Sequence, residues 1–145
     1  MAITTAMCNS FKEELLGGVH DLDTHSLKLA LIKESPTGTY GAATTNYSNV
    51  TDNSDEATGT NYTAGGQVLD GASITLSSGT AFVDFTDEVY TNLTISADGA
   101  ILYNSSASNK AIAVFDFGGT VTATAGDFTV VFPDADSSSA VIRIS

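Results

Sequence analysis

Ala111-Ile112-Ala113-Val114-Phe115-Asp116-Phe117-Gly118-Gly119 and, a little further on, Phe128-Thr129-Val130-Val131-Phe132-Pro133-Asp134 decide the fold of this chain. Each is a short, nearly continuous run of β-branched and aromatic residues, closed by glycine or by Pro-Asp. Such a run reads as a strand covered on both faces, too short for a buried helix. Strands are read at Ala111–Phe117 and Phe128–Phe132. Working back towards the N-terminus, the same period of two or short apolar run recurs at Ala100–Tyr103, Tyr90–Ile95, Ala81–Phe85, Ser73–Leu76 and Gln67–Leu69. Forward, it recurs at Val141–Ile144. The intervening residues are turn formers: Asp70-Gly71, Ser78-Gly79, Asp98-Gly99, Asn104 to Asn109, Gly118-Gly119 and Gly126-Asp127. Strands at this spacing predict an all-β fold, an antiparallel β-sandwich or barrel of about eight or nine strands.

Further upstream, Leu27, Leu29 and Leu31 alternate with Lys28, Ala30 and Ile32, which predicts a strand with one fully buried face. Ahead of it the period becomes helical. Met7, Phe11 and Leu15 recur on one face, Thr4 or Thr5 can cap, and Gly17-Gly18 can stop the segment. One short N-terminal helix over residues 4–17 is predicted, too short to stand without an apolar surface beneath it. Phe11 is the candidate contact on that face. Between strand and sheet runs a polar stretch, 34–66, far longer than the usual connection of about 4–6 residues. Its anchors are Tyr40, Tyr47, Val50 and Tyr62. Aromatics spaced through small polar residues suit contact with a partner, and packing on the parent domain explains them equally well.

The chain has 145 residues, enough for one domain with one core, and 42% of them are apolar. Only 15% are charged, 17 acids against 5 bases, for a net charge of −12. Lys12, Lys28, Lys33, Lys110 and Arg143 cannot form the basic stripe that phosphate backbones require, so neither nucleic acid nor an anionic membrane is an expected partner. The acidity is consistent with keeping an abundant protein soluble before assembly. The single cysteine, Cys8, precludes an intrachain disulfide and reads as a small buried hydrophobe. No apolar run reaches the roughly 18 residues of a membrane helix. Met1 to Thr5 lack a signal peptide's basic start and apolar stretch, so cytoplasmic synthesis is expected.

Chemistry-bearing groupings are sparse. His20-Asp21-Leu22-Asp23-Thr24-His25 supplies ligand types, but H-x4-H suits neither one helical face nor alternate positions on one strand. Asp52-Asn53-Ser54-Asp55-Glu56 lacks the glycine and glutamate of a calcium-binding EF-hand, because Ala57 and Thr63 occupy those positions. A solvated acidic turn is the simpler reading. Asp84 and Asp116 are paired carboxylates in name only; a glycosidase needs two across a cleft, usually with aromatic sugar platforms, and tryptophan is absent. No nucleophile elbow or phosphate loop occurs. The expectation is a non-enzymatic protein with no catalytic residues, no metal and no cofactor.

Taken in order, several segments carry a resemblance. They are Ala2-Ile3-Thr4-Thr5-Ala6-Met7-Cys8-Asn9-Ser10-Phe11-Lys12-Glu13-Glu14-Leu15-Leu16, then Thr58-Gly59-Thr60-Asn61-Tyr62-Thr63-Ala64-Gly65-Gly66-Gln67-Val68-Leu69, then Ala97-Asp98-Gly99-Ala100-Ile101-Leu102-Tyr103-Asn104, and finally Ala113 to Gly118 and Gly126-Asp127-Phe128. The chain resembles, over essentially its whole length, small structural proteins of tailed bacteriophages of marine and freshwater origin. The resemblance implies a virion location and no catalytic residues. Within a virion, the first expectation is a capsid decoration or cement protein stabilising the head, usually a trimer, bound to the major capsid protein. The alternative is a tail or tail-fibre component, contacting other virion proteins or the host surface. A carbohydrate-binding module ranks below both. In all of these the expected contact residues are Tyr40, Tyr47, Tyr62 and Phe11.

Overall fold

The computed structural model describes residues 2–145. Its elements run β1 (Ala6–Met7), α1 (Asn9–Leu16), β2 (Leu27–Lys33), α2 (Ser48–Thr51), β3 (Gln67–Val68), β4 (Ser73–Ser77), β5 (Thr80–Asp84) and β6 (Glu88–Asn104). A 3-10 turn at Ser105–Ala107, β7 (Lys110–Val130) and β8 (Ile142–Ile144) complete the chain. Two antiparallel sheets form, a five-stranded one ordered β1-β7-β6-β2-β3 and a three-stranded one ordered β4-β5-β8. The architecture is sandwich-like, not a closed barrel, and one apolar core joins both sheets.

The largest departure from the sequence expectation lies in β6 and β7. Tyr90–Ile95 and Ala100–Tyr103 are parts of one strand of 17 residues, and Ala111–Phe117 runs on through Phe128 in one of 21. Asp98-Gly99, Gly118-Gly119 and Gly126-Asp127 are therefore irregularities within strands, not chain reversals. Between the pairs Gly99↔Asp116 and Ala97↔Val121, β7 carries Phe117–Thr120 against Asp98 alone, a bulge that bends the hairpin and increases its twist. Gly99 is required by close approach: a Cβ there would lie 2.3 Å from the Phe115 carbonyl oxygen. Asp98 pins the irregularity, accepting from Ser35 N–H at 2.8 Å and from the Thr120 hydroxyl at 2.5 Å.

The N-terminal helix is shorter than expected. Residues 4–8 are not helical; Ala6 and Met7 pair with Val114 and Ala113 of β7. Thr5 caps nothing, because its hydroxyl accepts from Asp116 N–H at 2.8 Å. The helix starts after Cys8, which makes no side-chain capping bond. Phe11 is fully buried beneath it, while Met7 and Leu15 pack at its margins. Glu14 ties the helix to Lys110 at the start of β7, at 3.2 Å.

β2 is buried on both faces, with Leu29, Ala30, Leu31 and Ile32 inaccessible. The stretch 34–66 is ordered against it. Ala57 N–H donates to Leu31 O, Lys33 N–H to Asp55 O, and Glu56 bridges to Ile32, so residues 55–57 extend the β3 edge along β2. Further along, Thr60 bridges to Thr94 of β6 and Asn46 to Lys110 of β7. This segment is part of the body of the protein, not an arm.

Candidate functional site

The four expected contact residues turn inward. Phe11 and Tyr40 are core residues, and Tyr47 and Tyr62 are half-buried against the same cluster. The three tyrosine hydroxyls meet two carboxylates of the 34–66 segment. Tyr40 donates to Asp55 Oδ2 at 2.6 Å, and Asp55 also accepts from Gly38 N–H at 2.7 Å, Thr37 N–H at 3.0 Å and Lys33 Nζ at 3.0 Å. Asp55 is inaccessible to solvent. Burial alone pushes its pKa up, but the hydrogen bonds from Thr37, Tyr40, Gly38 and Lys33 outweigh it and hold the carboxyl well below the ordinary carboxylate range.

Glu56 is the second node. Both Tyr47 and Tyr62 donate to it, and Gly65 N–H donates at 2.6 Å. Tyr62 Oη in turn accepts from Leu31 N–H at 2.9 Å, and the Tyr47 ring stacks on Tyr103 at 4.5 Å. Burial, reinforced by the neighbouring Glu56, pushes the Tyr47 and Tyr62 phenols far up. The structure packs these tyrosines on the parent domain, with Tyr47 and Tyr62 half-buried. Asp52 to Glu56 is likewise not a solvated acidic turn, since its fourth member is sealed in.

His20 and His25 converge on one amide. Asn104 Nδ2 lies 3.0 Å from His20 Nδ1 and 2.9 Å from His25 Nδ1, while Asn104 Oδ1 accepts from Ser106 N–H at 3.0 Å. Because the oxygen is committed to Ser106, the NH2 group faces the imidazoles, and each ring accepts at Nδ1. His20 Nε2 sits 3.5 Å from Glu14 Oε2, too far for a strong hydrogen bond. Burial holds His20 below its ordinary pKa, with His25 and Lys110 adding to that and Glu14 opposing it. The arrangement fastens the β6–β7 turn to the α1–β2 connection. Asp84 and Asp116 fall in different sheets.

The surface that remains unexplained by internal packing is apolar. Leu16 is 93% exposed, Leu76 74%, Ile74 55% and Ile144 51%. A groove of 440 Å³ runs between the α1–β2 connection and the small sheet, lined by Leu15, Leu22, Ile74, Phe82, Val83 and Ile142. A neighbouring groove of 510 Å³ passes Met7, Leu15, Leu16 and Ile144, flanked by Lys12 and Arg143. Apolar patches of this kind mark contact sites more often than free surface. The sequence pattern concealed it: Ile74 and Leu76 alternate with polar residues like any half-buried strand, yet all five residues of β4 are exposed.

A scan against protein-family models matches none, and comparisons with curated proteins and with solved structures return no match.

Proposed function

We propose that the chain is a non-enzymatic structural protein of a tailed bacteriophage particle, first a capsid decoration protein that binds the major capsid protein and copies of itself. The observation that carries the reading is the apolar surface around α1 and the small sheet, where Leu16, Ile74, Leu76 and Ile144 are all more than half exposed.

A tail role is the second reading, favoured by the long β6–β7 hairpin, since tail-tube subunits stack their rings with such hairpins. Here, however, the hairpin tip is tied to the body: Ser105 N–H donates to Ser26 O, and Asn46 Nδ2 to Ser108 O. That leaves decoration first. Glycan binding ranks last, because Tyr40, Tyr90 and Tyr103 are buried and Tyr47 and Tyr62 are half-buried and hydrogen-bonded to Glu56.

Localisation in the purified particle by cryo-electron microscopy, with copy number from quantitative mass spectrometry, tests the reading. Density at local threefold positions of the capsid, lost with Leu16→Asp protein, is the expected result. Density confined to the tail would transfer the chain to the second reading, and absence from particles would overturn both.

A further inference from the structure

The end strands of the two sheets differ in how they are protected. β1 and β3 are two residues long, and β8 is three and carries Arg143. β4 is five residues long, ends the small sheet, and among the described residues makes backbone ladder bonds to β5 alone. Natural edge strands are blunted by charge, proline, a bulge or brevity, because an open row of N–H and C=O groups recruits another strand. Ser73-Ile74-Thr75-Leu76-Ser77 has no charge and no proline, its register with β5 is unbroken, and both faces are exposed.

The order of these five residues says what fits the edge. Centred on Thr75, the strand reads the same in both directions by chemical type: serine, aliphatic, threonine, aliphatic, serine. An antiparallel copy in that register sets Thr75 against Thr75, Ile74 against Leu76 and Ser73 against Ser77, matching every cross-strand pair in kind. Charge selects the same stretch. Two chains of net charge −12 repel, so a contact between copies must use a stretch free of acids. The nearest acid in register, Asp84, sits on β5 opposite Ser73, one strand away from the new contact.

We infer that β4 is the contact of a two-fold homodimer, pairing with β4 of a second copy in the register centred on Thr75. The three-stranded sheet becomes a continuous six-stranded one, and Ile74 and Leu76 extend their apolar row across the axis. The contact is isologous, as a two-fold requires. It stands independently of the particle reading, and it differs from the trimer expected of a decoration protein.

Sedimentation of the full chain, up to millimolar concentration, tests it with Thr75→Lys and Thr75→Glu. Thr75 is exposed and meets its own copy on the axis, so either substitution opposes like charges while leaving the subunit intact, which far-UV circular dichroism checks. The parent is expected at twice 14.9 kDa, each variant at 14.9 kDa, and an equimolar mixture of the two at twice that again. A parent at any other mass, a dimer that neither substitution breaks, or a mixture that stays monomeric overturns the proposal.

Discussion

Asp55→Ala offers the most direct test of what orders residues 34–66. The carboxylate is inaccessible and takes bonds from the Tyr40 hydroxyl at 2.6 Å, Gly38 N–H at 2.7 Å, Thr37 N–H at 3.0 Å and Lys33 Nζ at 3.0 Å. Truncation strands these donors unequally. Lys33, with its side chain 34% exposed, and Thr37, at the surface, can turn to water. Tyr40, 1% exposed, and Gly38 cannot readily do so. With each of the two stranded groups costing about 1–3 kcal/mol, the expected loss is about 4 kcal/mol. For a domain of this size that corresponds to a fall in Tm of roughly 12 °C. Urea and thermal unfolding, each followed by far-UV circular dichroism and tyrosine fluorescence, read the two quantities. The pH dependence supplies a second signature. Because the folded pKa of Asp55 is depressed, its contribution is fully present above the unfolded value of about 3.9 and is lost as pH falls through the folded value. The parent should therefore lose stability below about pH 4 more steeply than the variant. A variant within about 1 kcal/mol of the parent, with an unchanged acid limb, would refute the view that this carboxylate organises the segment.

Three further outcomes are expected. Burial pushes up all five phenols, Tyr40 and Tyr103 to about 12 and the other three beyond; their stabilising effect is complete below the unfolded value of about 10 and is lost as pH rises. Phenolate absorbance should thus stay flat through about pH 10 and rise together with alkaline unfolding, and a separate early step would contradict the placement of the tyrosines. Gly66→Ala should destabilise by more than about 2 kcal/mol, because φ is +74° and the new Cβ would lie 1.8 Å from Leu29 O; Gly79→Ala, with φ +80° and open space around it, should cost only about 1–2 kcal/mol of backbone strain, and equal unfolding midpoints for the two would argue against the close approach. Asn104→Ala removes the amide shared by both histidines and the acceptor for Ser106 N–H, an expected loss of about 2–4 kcal/mol at neutral pH. With His20 held below its ordinary pKa, the parent should lose stability as pH falls below about 6.5, and nuclear magnetic resonance titration of the His20 imidazole should find it below its ordinary value.

Much of this was legible from local pattern. Alternation at Leu27–Ile32, the apolar runs at 111–117 and 128–132, and the Ser78-Gly79 hairpin turn are properties of neighbouring residues, and the antiparallel β class followed from them. What the local pattern determined was which segments are extended and which faces are apolar. Whether Asp98-Gly99 and Gly118-Gly119 reverse the chain or bulge within it is not a local property, since the positive φ of Gly118 and Gly119 serves a turn and a bulge alike and Gly99 is required by the approach of the Phe115 carbonyl. The outcome depends on whether a partner strand continues alongside, and here β6 and β7 supply each other. The same holds for Thr5, engaged by Asp116 N–H from far along the chain instead of capping a helix, and for Tyr40, Tyr47 and Tyr62. Their aromatic spacing was visible, but the carboxylates that receive them, Asp55 and Glu56, read as a surface turn until long-range pairing with β2 carried that turn inside. The exposure of Ile74 and Leu76 was decided in the same way: a half-apolar strand is buried or open according to what tertiary structure lays against it, and among the described residues nothing covers β4.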